Sequence, residues 1–349
     1  MIEFPDESEV LGFDTLMDSM WLCKRGVSWK PSVSHYLHHQ ITETLRLEEQ
    51  LRTHTYRPRP VKTFVITHPK RRVIRSTSFR DRVYQRCLND HILYPAMART
   101  FIKENCACQK GKGTDFARNL LKEHLRRFYR KHGTAGYVLQ IDIKGYYEHM
   151  RHDVVKEQFR QHVPAWASER INAVLDGQYA GETGFNPGSQ MVQIAGISYL
   201  SPLDHYIKER LRIKLYLRYM DDLILVHEDP RFLGYCLRKI TEQLGAVGLW
   251  PHPKKTKIYP ISKGIDFLGF HYSLSPTGKV YLKLLKGNIK HERRKLARMV
   301  RLVKAGRMTT EKLNQCYQSW EAHADHGNSY HIKLRMRAYL ERLVKDYGI

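Results

Sequence analysis

The alternation of apolar and polar residues predicts a chain of mixed helices and short strands with no internal repeat. Residues 1 to about 55 have the spacing of amphipathic helices, and residues 60–78 alternate as two short strands. A basic helix is predicted over 115–132. After Lys286 the pattern is entirely helical, with three helices, and we expect the first of these to end at Gly306.

The middle of the chain, residues 136–285, holds most of the strand-like segments, separated by helices near 152–162 and 230–248. Within it, the sequence Tyr219-Met-Asp-Asp222 lies between two apolar runs, which predicts a strand, a tight turn and a second strand with acids at the tip. A third acid, Asp142, follows the apolar strand Tyr137–Ile141. An Asp-Asp pair is also typical of an ordinary solvated turn, so the pattern alone leaves both interpretations open.

Composition makes a nucleic acid the first candidate partner. The chain has 349 residues, roughly two to three structural units, and its 59 Lys and Arg against 35 Asp and Glu give a net charge of +24. The excess is spread along the whole sequence, which favours polyanions; an anionic membrane surface is the second candidate. No apolar run reaches the roughly 20 residues needed to span a bilayer.

The cysteines and the first residues indicate a cytoplasmic protein. Six cysteines are scattered without a Cys-x-x-Cys pair, which favours reduced thiols over a disulfide framework or a zinc site. The acidic N-terminal segment lacks the pattern of a signal peptide.

Three carboxylates in a strongly basic chain point to metal-assisted chemistry on phosphate. Joining a nucleotide to a 3′-hydroxyl is a displacement at phosphorus that two Mg²⁺ ions, about 3.5–4 Å apart, can catalyse. Because Mg²⁺ prefers hard oxygen ligands, Asp142 and Asp221 are the predicted bridging ligands, with Asp222 beside them. Mn²⁺ is the expected substitute metal.

Several ordered motifs carry a resemblance to a known family. The chain resembles bacterial reverse transcriptases of the group II intron and retroelement superfamily over about residues 55–345. The motifs are, in order, Arg72-Val-Ile, Phe79-Arg-Asp-Arg-Val-Tyr-Gln85, Gln140-Ile-Asp-Ile-Lys-Gly-Tyr-Tyr147, Tyr219-Met-Asp-Asp222, Lys255-Thr-Lys-Ile258 and Asp266-Phe-Leu-Gly-Phe270.

The resemblance implies an α+β right-hand polymerase with an antiparallel palm sheet and a short helical thumb. We expect fingers over residues 1–135, a palm that carries the catalytic carboxylates over 136–285, and a thumb over 286–349. The thumb helices are rich in Arg and Lys and are expected to lie along duplex phosphates, so that binding weakens steeply with salt.

The resemblance also assigns residues to the incoming nucleotide. Tyr147 corresponds to an aromatic gate that excludes a 2′-hydroxyl, while Tyr146 is assigned to the core. Arg72 corresponds to a finger arginine that grips the triphosphate, and a guanidinium fork suits phosphate oxygens. Lys70 lies in the same basic run, where a generic basic surface is an equal alternative.

Two further assignments complete the expected catalytic centre. Lys255 corresponds to a lysine that protonates the leaving pyrophosphate or holds its charge; its alternative is a solvated loop lysine. The Ile143 carbonyl is expected to complete one metal shell. Phe267–Phe270 resembles a primer-grip hairpin, and Arg80, Asp81 and Arg82 are assigned to an internal ion-pair network.

The segment around Gly188 and Gln193 bears on the subfamily. Its glycine and its final glutamine match the enzymes of diversity-generating retroelements, whereas Pro187 and Val192 depart from their pattern. The loop is expected to contact the templating base and the incoming nucleotide. Residues 106–114, 319–323 and 327–330 also resemble that group.

The resulting functional prediction is an RNA-directed DNA polymerase that copies a dedicated non-coding or template RNA into cDNA with Mg²⁺ and dNTPs. A diversity-generating retroelement is the leading context, and it implies a small basic accessory protein as partner. The alternatives are an antiphage-defence reverse transcriptase of the abortive-infection or defence-associated type, a non-catalytic maturase-like RNA-binding scaffold, and a basic nucleic-acid coat. No membrane partner is expected.

Overall fold

The computed structural model describes residues 4–67, 71–186 and 188–348. The chain is divided into two compact units. The first comprises Met1–Gly113, Ile141–Leu223 and Tyr235–Thr256, and the second comprises Thr114–Gln140, Ile224–Gly234 and Lys257–Ile349. Lys70 and Pro187 lie outside the described residues.

The described strands form three sheets. In chain order they are β1 (Lys62–Ile66), β2 (Arg72–Ser76), β3 (Tyr137–Asp142), β4 (Leu215–Tyr219), β5 (Asp222–His227), β6 (Lys257–Pro260), β7 (Ile265–Phe267), β8 (Phe270–Leu274) and β9 (Val280–Leu284). β1 and β2 form an antiparallel pair, and β7-β8-β9 form an antiparallel sheet. The central sheet has the order β4-β5-β3-β6, with β3 antiparallel to β6.

Helices make up most of the remaining described chain. They are α1 (Glu7–Val10), α2 (Phe13–Cys23), α3 (Pro31–His38), α4 (Gln40–Arg52), α5 (Phe79–Leu88), α6 (Tyr94–Ala98), α7 (Thr114–His132), α8 (Tyr146–His149), α9 (His152–Arg160), α10 (Ala165–Gln178), α11 (Gln190–Ser198), α12 (Ser201–His205), α13 (Pro230–Ala246), α14 (Lys286–Lys304), α15 (Thr310–Ala324) and α16 (Tyr330–Tyr347). Within the described ranges, none of these helices is long and apolar enough to cross a bilayer.

Helix α5 shows how the first unit is held together locally. Ser78 caps the helix by accepting from the Asp81 amide, at 3.2 Å. The buried Asp81 carboxylate accepts from the Tyr56 hydroxyl at 2.9 Å and pairs with Arg80 at 3.4 Å. The internal ion pair predicted for Arg80 and Asp81 is therefore confirmed. Arg82 departs from it, since its guanidinium lies over the Phe79 ring instead.

The end of the second unit follows the predicted helical pattern. α14 ends at Lys304, and Gly306 adopts the left-handed conformation that a side chain disfavours, with φ +67°. All three helices predicted after Lys286 are present. Between residues 150 and 200, however, the chain contains α10 and α11, which the strand-rich interpretation of that region missed.

Candidate active site

The predicted strand–turn–strand around the paired acids is present. β4 ends at Tyr219 and β5 begins at Asp222, so Met220 and Asp221 make the turn. Met220 has φ +55°, a left-handed conformation that is uncommon for a residue with a side chain. Such a conformation persists only where the surrounding structure holds it in place.

Backbone hydrogen bonds place Asp142 beside this turn. The Ile143 amide donates to the Asp221 carbonyl at 3.3 Å, and the His252 amide donates to the Asp142 carbonyl at 2.6 Å. Asp142 lies at the end of β3, which neighbours β5 in the central sheet. The strand ends thus bring Asp142 together with Asp221 and Asp222, which lie far from it in the sequence.

The charged side chains at these strand ends interact with one another. The Lys255 ammonium donates to both oxygens of the Asp142 carboxylate, at 2.9 and 2.8 Å. Burial, reinforced by the charges of Asp221 and Asp142, raises the pKa of Asp222 to about 7, although Lys255 opposes the shift. A carboxylate held this far above its usual pKa is typical of a functional site.

The three carboxylates are ligands of the kind that a divalent metal ion prefers. Among the described residues, no group of three or more His, Cys, Asp or Glu side chains is arranged as a ready-made metal site. The chemistry of the set nevertheless suits a hard cation, because it consists of carboxylate oxygens whose mutual repulsion contributes to the raised pKa of Asp222. A bound divalent ion would relieve that repulsion.

The two tyrosines after Asp142 have different environments. Tyr146 is buried, as predicted, and its hydroxyl donates to the Gly196 carbonyl. Tyr147 is half-buried, and its hydroxyl lies 3.9 Å from the Met220 sulfur. Gly196 also contacts Tyr147, since a Cβ at that position would lie 2.6 Å from the Tyr147 hydroxyl oxygen. The predicted gate residue therefore lies between the turn and α11.

The remaining predicted nucleotide contacts are spread over the first unit. Arg72 begins β2, opposite Ile66, and its side chain is outside the described atoms. At Gly188 an added Cβ would lie 3.1 Å from the Arg75 carbonyl, so the backbone there passes close to β2. Gln193 lies on α11 and lines a cavity of about 260 Å³ together with Cys108 and Gln190. The roles of these residues stay predictions.

Sequence reasoning missed a buried ion pair beneath the turn. The Arg218 side chain is fully buried in β4 and pairs with the fully buried Asp204 of α12. The available signal was a charged residue inside an otherwise apolar strand, between Leu217 and Tyr219. Its partner could not be read from the sequence, because the pairing is tertiary.

Comparison with known proteins identifies the family. The model for "Reverse transcriptase (RNA-dependent DNA polymerase)" matches residues 63–272, more than half of the chain. The chain therefore belongs to the reverse transcriptase family, whose members generally use divalent metal ions. No curated protein sequence matches the chain.

The chain also resembles solved structures, one of them with a TM-score above 0.5. The chain is similar to telomerase from Candida albicans in complex with a fragment of telomeric RNA, with a TM-score of 0.52, 12% identity, and coverage of 83% of this chain and 55% of the other. It is also similar to apo telomerase from Candida tropicalis, with a TM-score of 0.47, 14% identity and coverage of 64% and 55%. The chain thus spans about half the length of these structures. The predicted right-hand polymerase fold, with mixed helices and antiparallel sheets, is confirmed.

Proposed function

We propose that this protein is an RNA-directed DNA polymerase that extends a 3′-hydroxyl with dNTPs. The observation that carries the proposal is the placement of Asp142 beside Asp221 and Asp222 by the Ile143–Asp221 backbone bond, in a chain of the reverse transcriptase family. When bound, Mg²⁺ would supply activation of the hydroxyl and neutralisation of the leaving pyrophosphate. Asp142, Asp221, Asp222 and the Ile143 carbonyl are the proposed ligands.

The other residues have roles that need no metal. Tyr147 would limit the space beside the sugar, and Arg72, with Lys70 in the same run, would hold the triphosphate. Lys255 already reaches the Asp142 carboxylate, and a hydrogen bond from its ammonium to Asp142 raises its pKa. It would therefore stay protonated and could deliver a proton or a positive charge to pyrophosphate. Gly188 and Gln193 are proposed to contact the template and the incoming nucleotide.

The finer proposal concerns the template and its context. The telomerase structure contains RNA, and the net charge of +24 suits a polyanion, which supports a dedicated RNA as the template. The match at Gly188 and Gln193 favours a diversity-generating retroelement, with a small basic accessory protein. We retain the division into fingers (1–135), palm (136–285) and thumb (286–349) as part of this proposal.

One experiment tests both the polymerase activity and its proposed biological context. The protein is purified with co-expressed RNA and supplied with Mg²⁺ and dNTPs, and any DNA made is sequenced beside that of the Asp221→Asn/Asp222→Asn variant. Complementary DNA with errors concentrated at one template base supports diversity generation, whereas faithful, repetitive or template-free DNA supports a defence polymerase.

The remaining outcomes contradict the proposal. DNA synthesis that persists in the double variant would refute the carboxylate site. Tight RNA binding without product from either protein would favour the scaffold.

A further inference from the structure

The Arg218 side chain contacts the left-handed turn that presents Asp221. Arg218 lies two residues before Met220, and its Nη1 donates to the Met220 carbonyl at 3.1 Å. The same guanidinium donates through Nη2 to the Ile197 carbonyl near the end of α11, at 2.8 Å. One rigid planar group therefore bridges the catalytic turn and the helix that contacts Tyr147.

The guanidinium is itself fixed by a buried acid. Its Nε and Nη2 donate to the two oxygens of Asp204 at 2.7 and 2.6 Å, and both side chains are fully buried. Tyr216 completes the set by donating to Asp204 at 2.7 Å. Forked pairs of this kind are the most directional ion pairs in proteins.

The backbone of Arg218 is held as well. Its amide donates to the Glu104 carbonyl at 2.9 Å, and its carbonyl accepts from the Cys106 amide at 2.9 Å. With main chain and side chain both fixed, Arg218 has little freedom to follow a movement of the turn. A buried ion pair is weak evidence for net stability, since well-packed apolar residues often serve as well. The bond to Met220 suggests a reason other than stability.

We propose that Arg218 is a positioning residue for the catalytic turn: by holding the Met220 and Ile197 carbonyls on a guanidinium fixed by Asp204, it sets the position of Asp221 relative to Asp142 and Tyr147. This assignment rests on the proposed polymerase function. It predicts that loss of the guanidinium misplaces the acids without emptying the nucleotide site.

The first test keeps the positive charge at position 218 and removes the planar guanidinium. Arg218→Lys has one donor group, which cannot reach the Met220 and Ile197 carbonyls and both Asp204 oxygens together. We expect kcat to fall about 100-fold, as for displacements near 1 Å, with the KM for dNTP within about threefold of wild type. Binding of Mn²⁺ to the protein, followed by electron paramagnetic resonance, should weaken several-fold.

A second variant separates position from stability. Asp204→Leu/Tyr216→Phe/Arg218→Met removes the three polar side chains of this cluster together, so that no buried charge is left without a partner. We expect it to fold, with a melting temperature within a few degrees of wild type, and to show the same loss in kcat. A triple variant with wild-type kcat and Mn²⁺ affinity would overturn the proposal.

The chain offers a matched control in the same unit. Arg170 pairs with Glu7, its Nε lying 2.6 Å from Glu7 Oε1, and donates to the Leu51 carbonyl at 2.8 Å. Arg170→Met/Glu7→Leu should change stability while leaving kcat and Mn²⁺ affinity unchanged. An equal fall in kcat in this control would also overturn the proposal, because it would show a general effect of losing an arginine ion pair.

Amide hydrogen exchange tests the inference without a measurement of catalysis. Amides of residues 219–222 should exchange at least tenfold faster in Arg218→Lys and in the triple variant, and unchanged exchange would count against the assignment. If wild-type protein makes no DNA, the proposed function fails, and the exchange measurement still decides whether Arg218 holds the turn.

Discussion

Lys255 donates to both carboxylate oxygens of Asp142, across 113 positions of sequence. The pair joins a lysine of the loop before β6 to the acid at the end of β3. The positive charge of Lys255 opposes the rise in the pKa of Asp222. Lys255 therefore moderates the repulsion among the three carboxylates. Its ion pair with a proposed metal ligand favours the catalytic role over that of a solvated loop lysine.

Lys255→Met should therefore lower the rate of nucleotide addition by about 100-fold, within the range for a lost general acid. Single-turnover extension of a primed RNA template measures this rate directly. The control is Lys254→Met, because Lys254 is the exposed neighbour in the same loop. Equal rates for both variants would support the alternative that Lys255 is a solvated loop lysine.

Asp222→Asn should stabilise the metal-free protein at high pH. The folded-state pKa of Asp222, about 7, lies above its ordinary value of 3.8. The ionised form is thus penalised by folding, so the associated stability is present at pH 4 and is lost as pH rises through 7. With allowance for partial exposure, we expect the variant to be more stable by about 2 kcal/mol at pH 8 and unchanged near pH 4.

Thermal unfolding in chelator at the two pH values tests the expected gain. Asp18→Asn, at an exposed position, serves as the control and should behave as wild type. A shift of equal size at both pH values would show that the substitution acts through packing and not through charge.

Local pattern predicted much of the candidate site. The apolar runs on either side of Tyr219-Met-Asp-Asp222 specify β4 and β5, and the run before Asp142 specifies β3. Each strand is indicated by a short continuous apolar run bounded by polar or turn residues, which is visible in one sequence. The three acids could therefore be placed at strand ends from the sequence alone.

The missed features depend on tertiary contacts. α11 was not predicted because its residues 191–198 are mostly buried, so the helix shows no polar face to reveal its period. Arg218 was missed because its partner, Asp204, lies 14 positions away on a different element. A buried charge can be recognised as paired only when the fold is known.

Tyr147→Val should relax sugar selection. The half-buried ring lies between Met220 and Gly196, and its removal would open space where a 2′-hydroxyl would otherwise clash. We expect the preference for dNTPs over rNTPs to fall roughly 10- to 200-fold, the range for one small group in a pocket. Competition between labelled dCTP and CTP measures the ratio. Tyr147→Phe keeps the ring and should keep the preference; a low preference there would point to the hydroxyl instead.

Gly196→Ala should displace the Tyr147 ring from the side of α11. The added methyl would start 2.6 Å from the Tyr147 hydroxyl oxygen, so the ring must move. We expect the KM for dNTP to rise about tenfold, because the site becomes overpacked. Gly245→Ala in α13 is the control, since a Cβ there meets nothing within 4 Å. A wild-type KM for Gly196→Ala would show that Tyr147 does not shape the sugar site.

The salt dependence of RNA binding should identify the arginines of the proposed thumb that contact phosphate. Arg293, Arg335 and Arg342 line a groove of about 380 Å³ between α14 and α16, and the Arg293 guanidinium lies 4.3 Å from the centre of the Tyr339 ring. Each phosphate contact contributes about 0.7–0.9 to the slope of log Kobs against log salt concentration. Arg335→Ala/Arg342→Ala should therefore reduce that slope by about 1.5, measured by fluorescence anisotropy with a primed RNA template.

The control for the thumb variant uses two arginines that already have acidic partners. Arg46 and Arg52 of α4 are exposed and pair with Glu43 and Glu49 at 3.1 and 2.7 Å. Since each of these guanidinium groups lies beside an acid, on a helix outside the proposed thumb, Arg46→Ala/Arg52→Ala should leave the slope within about 0.3 of wild type. The Arg342 guanidinium also lies 5.8 Å from the centre of the Tyr339 ring. If the affinity of the Arg335→Ala/Arg342→Ala variant falls without a change in slope, the main contribution is this stacking on Tyr339. Equal slopes and affinities for all three proteins would place the phosphate contacts on other residues.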